Sequence, residues 1–217
     1  NGANVFLVDK DKYSLELTHS LMNKNSSYLQ KNLTETDACR TIVQNCIMDF
    51  GGVDILISNA GYAFESSILS LDISKLRESF DLNFYAHFNM SKEVSKTLIN
   101  QGLGGKILFN VSKQAVNPGK NFGAYGLPKA TLLFLLKQLA LELGEHKISV
   151  NGVNADKIRS GLLTPEMIQN RSKSRGLDES KYMKGNLLSE EVKAIHVAEG
   201  FLALAKSERT SAHILTI

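Results

Sequence analysis

The chain is short of the residues that announce disulfide scaffolds, metal centres and membrane spans. It has two cysteines, three prolines and no tryptophan in 217 residues. Cys39 and Cys46 fall seven apart within one predicted helix. Two helical turns hold their Cα atoms about 10 Å apart, beyond the reach of a disulfide. Neither has a set of His or Cys at ligand spacing, which speaks against zinc and for reduced thiols of a cytoplasmic protein. Charge of one sign is never concentrated: 25 basic and 22 acidic residues are scattered to a net +3, giving no basis for a nucleic-acid or anionic-membrane partner. The longest apolar run, near Leu132–Leu136, is far below the ~20 residues needed to cross a bilayer, and the opening residues lack a secretory-leader pattern. What remains is a globular composition, 43% hydrophobic and 22% charged, of a length suited to one domain.

Short β-rich apolar runs alternate with longer helical ones. Strands are expected at 4–9, 26–32 (weakly), 53–59, 105–112, 147–154 and 212–217. Helices are expected at 12–24, 34–52 with Thr34 as N-cap, about 73–101, 124–144, and 189–206 opening on Ser189, with 155–188 irregular. Such alternation predicts a single doubly wound α/β domain with a mainly parallel sheet. Ligands in these folds bind beyond the C-terminal strand ends, so Asp9, Asn59 with Gly61, Ser112 and Asn154 onward are the positions to inspect.

Each of these has an ordinary reading as well. Asp9 suits either the ribose hydroxyls of a dinucleotide or a helix N-cap. The turn "SNAG" (58–61) lets the main chain approach a flat ligand, or simply ends a strand. Ser112 suits a substrate carbonyl or a turn. Asn83 stands among aromatic residues in a helix that it disfavours. His87 and His196 read as structural. Pro128 is tolerated only where the first helical N–H groups lack acceptors, which places the helix start near Tyr125. Tyr125 and Lys129 then share a helix face one turn apart at the ligand edge.

With Asn83, Ser112, Tyr125 and Lys129 in order, the sequence resembles the short-chain dehydrogenase/reductase family over essentially its whole length. "SNAG", "GGKILFNVS" and "ISVNGVN" match further family segments. The resemblance implies a Rossmann-type fold and hydride transfer between a nicotinamide cofactor and an alcohol or carbonyl. Tyr125 would be the general acid/base, its pKa lowered by Lys129 and the nicotinamide. Ser112 would orient the substrate oxygen, Lys129 would also hold the nicotinamide ribose, and Asn83 would hold a proton-relaying water. Asp9, Asn59, Ala60, Gly61, Tyr125, Lys129, Ile158 and Ser160 would contact the cofactor, NAD in preference to NADP. The partners implied are a small-molecule substrate and further copies of the chain, as a homodimer or homotetramer, through helices 73–101 and 124–144.

There are departures from the family pattern. Its first strand and Thr-Gly-x-x-x-Gly-x-Gly phosphate loop have no counterpart here, so a gap is expected between strands 4–9 and 53–59, and the chain reads as a fragment. Asn32 replaces an adenine-contacting acid, Ala155–Asp156 replaces Pro-Gly, and Ser160 replaces Thr. Segments 153–176 and 182–192 resemble the dehydrogenase domain of bifunctional rhamnulose-1-phosphate aldolase/dehydrogenases, which implies a small substrate such as lactaldehyde or a sugar derivative. The rival readings are a non-catalytic dinucleotide sensor or scaffold and a methyltransferase-like domain. The second does not require Ser112 and Tyr125 at their spacing.

Overall fold

The computed structural model describes residues 2–22 and 25–217. Among these, every strand pairing is parallel, as the alternation requires. Strand β1 (Val5–Asp9) pairs with β2 (Ser26–Gln30) in one sheet. A second sheet has the order β3 (Ile55–Ser58), β4 (Gly105–Asn110), β5 (Ile148–Asn154), β6 (Ile214–Thr216). The two sheets share no strand pairing. On β3, Ile55 and Ile57 stay 43% and 50% exposed, whereas Ile107, Leu108 and Phe109 of β4 are fully buried. Strands covered on both faces read as unbroken apolar runs, and β4 is one.

Helices α1 (Lys12–Ser20), α2 (Ala38–Phe50), α3 (Ile73–Phe80), α4 (Ala86–Gln101) and α5 (Gly123–Leu143) alternate with these strands. The main core joins Ile42 and Val43 of α2, Val94 and Leu98 of α4, Leu132 and Leu136 of α5, and the inner residues of β4 and β5. Phe6, Val8 and Leu29 of the two-stranded sheet pack against the same core. In 155–188 the helical fragments are α6 (Pro165–Lys173) and α7 (Glu179–Met183), which share a small core of Leu163, Ile168, Tyr182 and Met183. Helix α8 (Ala194–Lys206) covers β4 and β5 from the other side, through Val197, Phe201 and Leu204.

Three helix boundaries differ from expectation. Thr34 does not cap α2: its N–H and hydroxyl both donate to the Asn32 carboxamide oxygen, and the helix begins four residues later. Ser189 lies at φ +54 outside any helix, because Glu191 is drawn across to Arg159 at 2.7 Å, and α8 starts after Lys193. The 73–101 helix is real but carries a π turn at Asp81–Tyr85, where the Ala86 N–H reaches the Asp81 carbonyl. Such one-turn bulges bring a side chain out of α register, here Asn83. The end of the expected 12–24 helix, at 23–24, lies outside the described residues.

Pro128 sits inside α5, at its sixth residue rather than among the first four. Its missing N–H deprives the Ala124 carbonyl of a partner, and Ser79 of α3 supplies one, its hydroxyl donating at 2.7 Å. Ser79 is fully buried. Ser79→Ala should therefore leave a buried carbonyl unpaired and cost about 1–3 kcal/mol, read as a lowered denaturant midpoint at unchanged m-value.

Candidate active site

The chain turns sharply after β3, and three side chains hold that turn. Asn83 grips Tyr62 twice: its amide donates to the Tyr62 carbonyl at 2.7 Å and its oxygen accepts the Tyr62 N–H at 3.0 Å. Its second amide hydrogen goes to Ser79 at 3.0 Å, so both N–H groups are committed within the chain. One turn along, His87 is buried between the Ser58 hydroxyl at 2.6 Å and the Ala60 carbonyl at 3.0 Å. Burial, with the nearby Lys129, lowers its pKa to about 3, so the ring is neutral. Its Nε2–H donates to Ala60, and Nδ1 accepts from Ser58. Finally Asn110, which ends β4, donates to the Asn59 side chain at 2.7 Å. Gly61 is tight: a Cβ there would approach Leu162 to 3.2 Å and the Asn83 oxygen to 3.4 Å. The tertiary reason for glycine is thus close packing.

Tyr125 and Lys129 come from the first turns of α5, next to the end of β4. Lys129 is 2% exposed, and its ammonium donates to the Asn110 carbonyl at 2.8 Å, 5.8 Å from the centre of the Tyr125 ring. Ser112, half-buried two residues beyond β4, opens the next turn by accepting the Gln114 N–H at 3.2 Å, and its hydroxyl neighbours the Tyr125 phenol. Asn83, Ser112, Tyr125 and Lys129 are thus brought together with the 58–62 turn. Segment 155–163 closes the group: Ala155 accepts the Lys113 N–H at 3.5 Å, and Ile158 packs on the α8 core. Ser160 accepts the N–H groups of Leu162 and Leu163, both at 3.3 Å.

The electrostatics correct one expectation. Burial holds the Tyr125 phenol above its ordinary value, and the Ser112 hydroxyl only partly opposes it. Lys129 is itself pushed down to about 7 by burial. The apolar setting penalises both charges, so in the chain alone the phenolate is not favoured.

Asp9 stands apart, in the two-stranded sheet. It does not cap α1; Asp11 does, accepting the Ser14 N–H at 2.7 Å. Among the described residues the Asp9 carboxylate accepts only the Asp11 N–H, at 2.9 Å, and Lys12 turns towards Glu16 at 3.8 Å. A polar cleft between the start of α2 and α4, lined by Leu33–Arg40 and by Asp81, Tyr85 and Asn89, contains none of these groups. No helix among the described residues is long and apolar enough to cross a membrane.

Whether these residues fit a nicotinamide nucleotide turns on Lys129. A fully buried ammonium with one carbonyl partner has two N–H directions left, a costly arrangement unless hydroxyls meet them. The Asn154 side-chain oxygen at the end of β5 is also buried without a partner among the described residues. Both suit a polar ligand laid across the strand ends.

Comparisons with known proteins agree. The sequence model of the short chain dehydrogenase family matches residues 1–171. The uncharacterized oxidoreductase YuxG of Bacillus subtilis is 25% identical over 229 residues, covering all of this chain and 33% of its own. This chain therefore spans about a third of that relative. Short-chain dehydrogenase reductase 4 of Arabidopsis thaliana is 28% identical over 96% of this chain and 70% of its own. Among solved structures, the 3-ketoacyl-(acyl-carrier-protein) reductase from Brucella melitensis complexed with NADH superposes with TM-score 0.88 at 22% identity, over 100% of this chain and 86% of that one. With a family match over residues 1–171 and the same fold in its structural relatives, the chain belongs to the short-chain dehydrogenase/reductase family of oxidoreductases.

Proposed function

We propose that the chain carries the catalytic side of a NAD-preferring dehydrogenase for a small, uncharged alcohol, aldehyde or sugar-derived compound, lactaldehyde being one such substrate. The observation that carries this reading is the buried Lys129 ammonium one helical turn from Tyr125, with Ser112 beside the phenol. A bound nicotinamide supplies the hydride acceptor or donor; the proton falls to the chain. Tyr125 takes the proton from an alcohol, or gives one to a carbonyl, while Ser112 fixes the same oxygen. Lys129 holds the ribose hydroxyls with its two remaining N–H groups. Once those bonds raise its protonation, its charge favours the phenolate.

Asn83 serves by holding the 58–62 turn against which the cofactor lies, since its amide hydrogens are already engaged. Asn59, Ala60 and Gly61 form that turn, Ile158 and Ser160 the opposite wall, and Asp9 receives the adenosine ribose. A free carboxylate oxygen at Asp9, with Lys12 turned away, supports NAD over NADP.

Charge supports an uncharged substrate. Lys113 and Lys157 share Asp156 at 3.6 and 3.1 Å, Arg159 meets Glu191, and Arg171 meets Glu65 at 3.0 Å. Each of these cations meets a carboxylate of the chain, Lys113 and Lys157 sharing one. Self-association through α4 and α5 is supported by Tyr85, Phe134 and Leu141, which remain 51%, 69% and 78% exposed.

The test is titration of the full-length polypeptide with NADH and NADPH, followed by turnover on small polyols and hydroxyaldehydes. NADH should bind more tightly than NADPH, and a neutral substrate should turn over. Absence of binding by either cofactor would overturn the reading and favour a scaffold role.

A further inference from the structure

We propose that Arg171 is a positioning residue for Tyr125, acting through Phe122, and that it latches the α6–α7 segment onto the body of the domain. This rests on the dehydrogenase reading only for the role of Tyr125; the latch is independent of it.

Arg171 lies on α6 and is 6% exposed. It joins three separate parts of the chain. Its Nε donates to the Tyr182 hydroxyl of α7 at 2.7 Å. Its Nη1 donates to Glu65, in the loop after β3, at 3.0 Å. Its guanidinium carbon lies 3.9 Å from the centre of the Phe122 ring. Phe122 is 6% exposed and immediately precedes α5. Its carbonyl accepts the N–H groups of Tyr125 at 3.1 Å and Gly126 at 2.8 Å, and its ring meets that of Tyr125 nearly edge-on at 5.5 Å. The Glu65 loop runs alongside, with the Ser66 N–H bonded to the Asn121 carbonyl at 2.9 Å.

Burying a guanidinium is costly even when it is paired, and an apolar side chain would complete the core of Leu163, Ile168, Tyr182 and Met183 at least as well. What arginine adds is direction. Its planar fork fixes two hydrogen bonds while its face lies on an aromatic ring, a combination lysine does not reproduce. With α6–α7 seated, Phe122 is held between Arg171 and Tyr125, which fixes the phenol. If that segment lifts, the ring loses its backing, and the helix start that carries Tyr125 loosens. The acid/base group is therefore in working position only while α6–α7 is seated.

The experiment compares Arg171→Met, Arg171→Lys and Glu65→Gln with the wild type in the full-length protein. It measures kcat at saturating substrate and cofactor per folded molecule, the cofactor Kd, and amide exchange at 122–126 and 165–183. Arg171→Met should lower kcat by about 10²-fold, the effect of misplacing a reacting group by roughly 1 Å, with cofactor Kd unchanged. Arg171→Lys should restore little of this loss. Glu65→Gln should speed exchange in 165–183 with a smaller loss of kcat. A normal kcat in Arg171→Met would overturn the positioning role, whatever the change in melting temperature. Should the wild type turn over nothing, the dehydrogenase reading fails and exchange decides the latch. Faster exchange at Tyr125 and Gly126 together with 165–183 supports it; faster exchange at 165–183 alone overturns the link to Tyr125. If Arg171→Met does not fold, Arg171→Lys and Glu65→Gln give the same two readouts.

Discussion

Tyr125→Phe should lower turnover by about 10²–10⁴-fold, the usual contribution of a positioned acid/base group, while leaving cofactor binding intact. The substitution is nearly pure chemistry. Tyr125 is 7% exposed, packed edge-on against Phe122, and phenylalanine keeps that volume and that contact. What goes is one hydroxyl and its interaction with Ser112. The pH dependence sharpens the test. Burial holds the phenol above its ordinary value, so at neutral pH the chain presents a proton donor. Carbonyl reduction should then run well at neutral pH, whereas alcohol oxidation, which needs the phenolate, should climb as pH rises. Any residual activity of Tyr125→Phe should lose that climb. A variant that retains wild-type turnover with the same slope would remove Tyr125 from the proton-transfer step.

The order of strands and helices was readable because its signals are local. Continuous apolar runs such as "KILFNVS" mark strands covered on both faces, and glycine stops such as Gly51 close helices. Asn83, Ser112, Tyr125 and Lys129 stand out as candidates because they occur at separations that one family uses. Legibility failed where a distant partner decides the local outcome. Ser189 looks like a helix cap, but Glu191 answers Arg159, 32 residues away, and the helix starts later. Thr34 looks like another, but Asn32 takes its hydroxyl. Pro128 did carry a usable signal: a proline within a helix frees the carbonyl four residues earlier, so Ala124 needed a donor. Nothing local pointed to Ser79, 45 residues away, as that donor. His87 reads as a structural residue, but only the fold shows that it braces the Ser58–Ala60 turn. Nothing in the sequence sets Arg171 apart from the other cations of 155–188; only the fold shows it buried against Glu65 and Phe122.

Lys129→Met should stabilise the folded chain at neutral pH while abolishing turnover. Lys129 is 2% exposed, and burial alone pulls its pKa from 10.5 to about 7. The unfolded chain keeps an ordinary lysine, so between about pH 7 and 10.5 it binds more protons than the folded chain. Stability from this group therefore rises with pH across that window, and the full penalty applies below it. A depression of this size corresponds to about 4–5 kcal/mol at 1.36 kcal/mol per unit. Part is offset in the measured difference by the lost bond to the Asn110 carbonyl, about 1 kcal/mol, so the net gain at pH 6.5 should be about 3–4 kcal/mol. Methionine keeps the unbranched stem and its packing without the charge. Denaturant unfolding at pH 6.5 and pH 9 provides the check: the advantage of the variant should shrink by about 2–3 kcal/mol between them. Comparing variant with wild type at each pH cancels the thiols, whose raised values begin to lower stability near pH 9 in both. An advantage that does not change with pH would mean that Lys129 is charged at ordinary strength within the fold. It would then already favour the phenolate before any cofactor arrives. Retained turnover in the variant would remove the ammonium from the chemistry altogether. The expected pairing of higher stability with lost activity is what a strained charge kept for function produces.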